Sequence, residues 1–304
     1  MSRRDYIVVG HLTIDIIEIA GESHRSLGGS VAYGSVAAKM YGHEPLALSK
    51  VGEDFPEEYI LLLAKYGVDV SGIKRVGGGS TIFKLIYHGS SRDLFLMNTC
   101  EKIFSEDIED LEDIEATHIG SVFNEIPLET VKYLARKSRL TAIDIQGYIR
   151  RVDDDRRVIF EASDKVWDFM SHVDIIHAEQ QEAFIVTGHM NPVDSASRIF
   201  ERSRAISAVT LGEGGSIIAC SEGVYRIPAI KPERTLDPTG AGDIYTAILL
   251  LSLSEGEDLL YSGALASVAS SLSVEDYGLK GIPGRTRVFE RVEEVYDKTE
   301  KIRA

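Results

Sequence analysis

The residues best suited to do chemistry lie together in Leu236-Asp237-Pro238-Thr239-Gly240-Ala241-Gly242-Asp243, directly ahead of an apolar run over residues 246–253. A turn built from Gly240, Ala241 and Gly242 puts no bulky side chain in the way, so a ligand can approach the backbone closely. If the apolar run is a buried helix, its first amides present free N–H groups to that ligand, and the helix dipole adds partial positive charge. Such a site fits an anionic phosphoryl group. Asp243, in the first turn, then stands where it can take the proton of a hydroxyl attacking that group. The same residues admit a plainer reading, in which Asp237 and Thr239 cap the helix and the glycines only make the turn. Physical chemistry alone weighs the two equally.

Elements must hold that turn in place, and the chain reads as an alternation of strands and helices. Residues 6–9, closed by Gly10, form a short β-branched run suited to a strand covered on both faces. An Ala-rich helix over 30–41 stops at Gly42, a strand follows at 45–51, and Pro56 opens a helix that ends before Gly67. The alternation returns with strands at 117–122, 140–145 and 173–177 and helices at 127–137 and 179–186. Val288, Val292 and Val295 mark one face of a closing helix. The expected class is α/β, three layers around a mostly parallel central sheet.

Two stretches break the pattern: the segment after Gly10, and the strand pair 81–87 and 93–97 around a turn at 88–92. They predict a small β-sheet lid built from about residues 11–27 and 74–100 on a single catalytic domain spanning 1–304, or else an extra hairpin on a sheet edge. Between Glu101 and Glu115 stand eight acidic residues, with Ile108, Leu111 and Ile114 at every third position. A solvated helix or helical turn with an apolar stripe accounts for them better than a metal site.

Composition narrows the partners. With 44% hydrophobic and 27% charged residues, a large core can form. The net charge of −15, with no Lys/Arg cluster to track a phosphate backbone, excludes nucleic acid as an expected partner. Cys100 and Cys220 match no metal-ligand spacing and fit a reducing cytoplasm. No apolar run approaches the ~18 residues of a membrane span, and no signal-peptide pattern opens the chain, so the expectation is a cytoplasmic protein without a membrane partner.

Asp237-Pro-Thr-Gly-Ala-Gly-Asp243 resembles the C-terminal signature of the ribokinase-like (PfkB) carbohydrate kinases. The resemblance implies their ribokinase-like fold, ATP and Mg²⁺, and transfer of a phosphoryl group to a hydroxyl of a small sugar or cyclitol. It implies Asp243 as catalytic base, with Gly240, Ala241 and Gly242 forming the anion hole. It extends to Gly10-His-Leu-Thr-Ile-Asp15 and to Gly28 and Gly29, where Asp15 would hold acceptor hydroxyls beside the glycine pair. Taken alone, Asp15 is a cap or turn residue and the pair a weak turn signal. Thr210-Leu-Gly-Glu-Gly-Gly215 is similar to the family's nucleotide loop, which would put Thr210, Gly212, Gly214 and Gly215 on ATP; in isolation it is a hairpin turn. The chain carries neither a G-x-x-x-x-G-K-[ST] nor a G-x-G-x-x-G motif, which argues against P-loop kinases and dehydrogenases. In similar proteins the lid often mediates dimerisation, so a homodimer through it is an expectation of the resemblance.

Departures from the family pattern point to a subgroup. Ribokinase has an Asn where this chain has Tyr33, which speaks against a pentose-like binding mode. The family's N-x-x-E motif aligns with Glu179-Gln-Gln-Glu182, whose two carboxylates share a helical face. They would hold hydrated Mg²⁺ through waters, or stand as an exposed acidic pair. After Gly278-Leu-Lys-Gly-Ile-Pro283 no Ser matches the monovalent-cation site of some members, so potassium dependence stays open. Ala142-Ile-Asp144-Ile-Gln146-Gly-Tyr-Ile-Arg150 is similar to a stretch of plant-type inositol kinases, implying myo-inositol or a related ring as acceptor, with Gln146 and Arg150 near it. A strand-end Gln can also simply satisfy backbone groups. The alternatives are a nucleoside or ribose/fructose-type kinase and, from another class, a non-catalytic nucleotide- or sugar-binding regulatory protein.

Overall fold

Tyr6 and Val8 enter one hydrophobic core and Ile7 and Val9 a second, because the strand Arg4–Val9 lies inside a sheet covered on both faces. The computed structural model describes residues 4–19, 21–88, 91–108 and 111–304; the hairpin-turn residues Gly89 and Ser90, Ala20 in the first lid segment, and Glu109 and Asp110 of the acidic stretch lie outside the described residues. Each fully buried Val or Ile contributes about 1.5–3 kcal/mol, so the two cores supply most of the driving force for the layered arrangement.

In spatial order the large sheet runs Glu300–Arg303, Gly223–Ile227, Ser216–Cys220, Ile206–Thr210, Ile175–Glu179, Ser138–Asp144, Ile114–Ile119, Arg4–Val9, Pro45–Val51 and Ile73–Arg75. Pairing is parallel from Ile206–Thr210 to Ile73–Arg75 and antiparallel across the other three strands. The helices Ser30–Met40, Ala241–Ser254 and Leu259–Ser273 pack on one face. Leu128–Lys137, Lys165–Met170, Gln180–Thr187 and Pro192–Ser203 cover the other. The expected three-layer α/β architecture is what the chain adopts.

A separate small sheet, ordered Glu22–Gly28, Thr13–Ile19, Thr81–His88 and Ser91–Asn98, stands over the carboxyl ends of the parallel strands. Ile73–Arg75, which the sequence assigned in part to this sheet, instead pairs with Ser49 to Val51 at the edge of the large one. The chain crosses between the sheets near His11 and again near Thr81. There His11 Nδ1 meets the Thr81 hydroxyl at 2.8 Å, and that hydroxyl also accepts the Cys100 N–H at 2.9 Å.

Two local expectations change. Val288, Val292 and Val295 are all buried, but on two short helices, Arg285–Phe289 and Val292–Tyr296, rather than one. Among the described residues of the acidic stretch only Ser105–Asp107 forms a helical turn, of the 3₁₀ type. Ile114 begins a central strand instead of continuing an apolar helical stripe.

Candidate active site

The helix Ala241–Ser254 starts at Gly240, which is left-handed (φ 79°), and has no side-chain cap. A Cβ on Gly240 would run into the Tyr33 ring, so both the backbone angle and the close approach require glycine here. Asp237 does not cap this helix: its carboxylate accepts the Thr239 N–H at 3.0 Å and the Gly278 N–H at 2.9 Å, folding the approach to the turn. The capping alternative therefore fails. The Ala241 N–H folds back to the Pro238 carbonyl at 3.2 Å, and Gly240, Gly242 and Asp243 line a cavity at the positive end of the helix dipole.

The helix Ser30–Met40 also begins at a glycine, Gly29 (φ 93°), without a side-chain cap. Gly29, Ser30, Gly240, Gly242 and Asp243 all line one cavity of about 700 Å³, so two uncapped helix N-termini converge on it. Burial pushes the Asp243 carboxyl up to about 6, and the nearby Asp144 adds to the effect. A hydrogen bond from Ser30 and the charges of His118 and His177 oppose it. A carboxylate poised near neutrality is matched to general-base work.

The small sheet supplies the opposite wall. Asp15 lies two residues beyond Thr13 on one strand and pairs across the sheet with Ser26, and a Cβ on Gly28 would collide with its carboxylate; Gly28 makes that room without itself lining the cavity. The Thr13 hydroxyl donates to Asp15 Oδ1 at 2.8 Å. Burial raises the Asp15 carboxyl to about 6 against the pull of Thr13, Arg150 and Arg92. From the segment that follows the strand Ser138–Asp144, Arg150 Nη2 donates to Gln146 Oε1 at 2.6 Å, and Gln146 Nε2 donates to the Ser30 hydroxyl at 3.3 Å. Arg150 thus reaches Asp243 through two side chains, and both Gln146 and Arg150 line the cavity.

A second cavity, of about 420 Å³, opens beside the first, and Glu179, Gln181, Pro238 and Gly242 belong to both. Thr210, Gly212 and Gly215 line it together with Ala241 and the apolar Ala229, Ile230 and Val274; Gly214 does not. The loop is also the hairpin connection that the plainer reading gave, since Thr210 pairs with Ser216. Glu179 is exposed and precedes the helix Gln180–Thr187, whereas Glu182 is 5% exposed and accepts the Glu179 N–H at 2.9 Å. The pair is therefore not simply exposed. Burial, then the Glu179 charge, pushes the Glu182 carboxyl up to about 7.

Sequence reasoning missed the floor of the site. Asp144 Oδ2 meets His118 Nε2 at 2.5 Å; Asp144 Oδ1 meets His177 Nδ1 at 2.8 Å and accepts the Thr246 hydroxyl at 2.7 Å. Tyr6 and Thr210 close the two ends, at His118 Nδ1 (3.0 Å) and His177 Nε2 (3.1 Å). The one signal in the sequence was polar side chains inside otherwise apolar strands. Also missed was the hairpin Arg150–Val152 and Val158–Phe160, docked on the small sheet through the Leu96 N–H to Arg156 carbonyl bond at 2.9 Å and an Arg157–Asp93 ion pair. It brings Arg157, Val158, Ile159 and Phe160 into the first cavity.

Comparison with known proteins agrees with this geometry. The family described as pfkB family carbohydrate kinase matches residues 3–283. The chain is 30% identical over 268 residues to a cytidine kinase of Thermococcus kodakarensis, covering 84% of this chain and 90% of that protein. It is 24% identical to inositol 3-kinase of Arabidopsis thaliana, over 91% of this chain and 76% of that one. Among solved structures, a pyrophosphate-dependent kinase in the ribokinase family, complexed with a pyrophosphate analog and myo-inositol, superposes with a TM-score of 0.81. It is 19% identical, covering 94% of this chain and 99% of that one. The fold is thus that of the ribokinase-like phosphotransferases. The chain belongs to the pfkB family of carbohydrate kinases and is a sugar or nucleoside kinase.

Proposed function

We propose that this kinase uses ATP to phosphorylate a hydroxyl of a small polyhydroxylated ring, myo-inositol or a related cyclitol, with Asp243 as the base. The reading rests most on one observation: Gly242 is a wall of both cavities, and the next residue is a carboxylate raised to about 6 at an uncapped helix N-terminus. The acceptor would lie in the larger cavity, its hydroxyls on Asp15, Gly29, Gln146 and Arg150. The donor would lie in the smaller one along Thr210, Gly212 and Gly215, whose apolar wall suits the nucleoside part of ATP; pyrophosphate would not need it.

The acceptor proton passes to Asp243 as the acceptor oxygen attacks the γ-phosphorus in line. The amides of Gly240 and Gly242 meet the negative charge that grows on the equatorial oxygens, with the helix dipole behind them, and that of Ala241 joins them on leaving its long 3.2 Å bond to the Pro238 carbonyl. Glu179 and Glu182 fit hydrated Mg²⁺: a buried carboxylate that burial keeps near pH 7 gains from a cation next to it, and a second carboxylate stands beside it. When bound, Mg²⁺ supplies charge neutralisation on the phosphate oxygens. The small sheet would act as a lid, keeping water from the transfer site.

A second reading, nucleoside kinase, is favoured by the 30% identity to a cytidine kinase and by the apolar side chains Phe83, Leu94, Val158 and Phe160 on the far wall, which suit a base. Turnover with ATP on myo-inositol, ribose, fructose and a set of nucleosides tests the choice. A kcat/KM for cyclitol at least about tenfold above every other acceptor supports the first reading. Preference for a nucleoside or furanose overturns it.

A further inference from the structure

Asp144 is 3% exposed, at the end of a central strand, and both its oxygens are engaged by donors from three other elements. A buried ionised carboxylate only accepts hydrogen bonds, so His118 and His177 each turn an N–H toward it, as does the Thr246 hydroxyl. Burial works to raise the Asp144 carboxyl, but the two histidines outweigh it and hold the group well below the usual carboxylate range.

What this array touches is the machinery of transfer. Thr246 lies one turn beyond Gly242 and Asp243 on the same helix, and its hydroxyl also reaches the Gly242 carbonyl at 3.1 Å. The His177 ring packs behind Gly242: a Cβ there would lie 3.0 Å from His177 Cε1. At its other nitrogen His177 meets Thr210, the first residue of the donor loop. One carboxylate is thereby tied to the turn that carries the base, the wall behind the phosphoryl site and the donor loop.

We propose that Asp144 is a positioning residue for phosphoryl transfer, fixing through Thr246 and His177 the first turn of the Asp243 helix against the donor loop. Although it borders the larger cavity, its two oxygens are engaged by His118, His177 and Thr246, so its contribution belongs to the transfer step and not to binding. A base or an amide displaced by a fraction of an ångström still binds its ligands but loses alignment with the attacked phosphorus. The inference rests on the reading of Asp243 as base.

The test is a single-turnover measurement with ATP and the preferred acceptor on Thr246→Val, Thr246→Ser, Asp144→Asn and Asp243→Asn, each normalised to the folded fraction. Thr246→Val keeps the shape and removes only the hydroxyl. It should slow transfer about tenfold, with KM for both substrates within about twofold of wild type, and Thr246→Ser should restore the rate. Asp144→Asn should cost about a hundredfold, since an amide cannot accept at both positions. A purely structural array would lower the folded fraction and leave the normalised rate unchanged; that result, or a loss confined to KM, overturns the inference. If Thr246→Val does not fold, the same comparison is read from Thr246→Ser and Asp144→Asn, where an unchanged normalised rate in Asp144→Asn overturns it equally. Full turnover in Asp243→Asn would remove the base reading and this inference together, whereas an inactive Asp243→Asn beside an unaffected Thr246→Val removes the inference alone.

Discussion

A base kept ready inside a cavity destabilises the protein that carries it, and Asp243→Asn should make this measurable. Its carboxyl rises from an ordinary 3.8 to about 6 on folding, chiefly because burial disfavours the charge. Each tenfold change in proton affinity is worth about 1.4 kcal/mol, so the ionised group costs the ligand-free protein about 3 kcal/mol at pH 8. The sign follows from linkage. Well below pH 4 the group is protonated in both the folded and unfolded states and costs nothing; as pH rises from about 4 through 6 that stability is lost. Asparagine keeps the shape without the charge, so the variant should be more stable than wild type by about 3 kcal/mol at pH 8 and by about half as much at pH 5. Urea denaturation at the two pH values checks it. A variant no more stable than wild type, or a gap that does not grow with pH, would refute the reasoning. The same substitution should lower turnover by about 10²–10⁴-fold, the opposite direction from stability.

Gly240→Ala places a methyl group into the Tyr33 ring at a left-handed position, so turnover should fall about a hundredfold with the fold retained; wild-type activity would argue against the tight turn. Glu182→Gln keeps the acceptor for the Glu179 N–H but removes the charge. In wild type the apparent Mg²⁺ affinity should rise as pH passes through about 7, where Glu182 ionises, and in the variant this dependence should flatten with an affinity about tenfold weaker. An equal pH dependence in both proteins would separate Glu182 from the metal.

Much of the fold was legible because strands covered on both faces read as apolar runs: Pro45–Val51 falls where the sequence put it, and every residue of that strand is buried. The Gly-rich turn was legible because only glycine satisfies both the left-handed angle and the Tyr33 contact at Gly240. The break between Val288 and Val292 was not, since the valine spacing of one helix is also met by two short ones that bury the same side chains. His118, Asp144 and His177 escaped notice for another reason. They come from three strands, 26 and 33 residues apart along the chain, and become a cluster only when parallel pairing brings the strands into register. The hairpin at 150–160 is equally non-local: nothing in its own residues reveals that Leu96 will pair with Arg156.

The most direct test of the central claim is to follow ADP and phosphorylated acceptor together at pH 7, with ATP, Mg²⁺ and the preferred acceptor, in wild type and Asp243→Asn. The account predicts equal amounts of the two products in wild type, little ADP without acceptor, and loss of both products in the variant while nucleotide still binds. Undiminished product formation by Asp243→Asn, or ADP release indifferent to any acceptor, would contradict it.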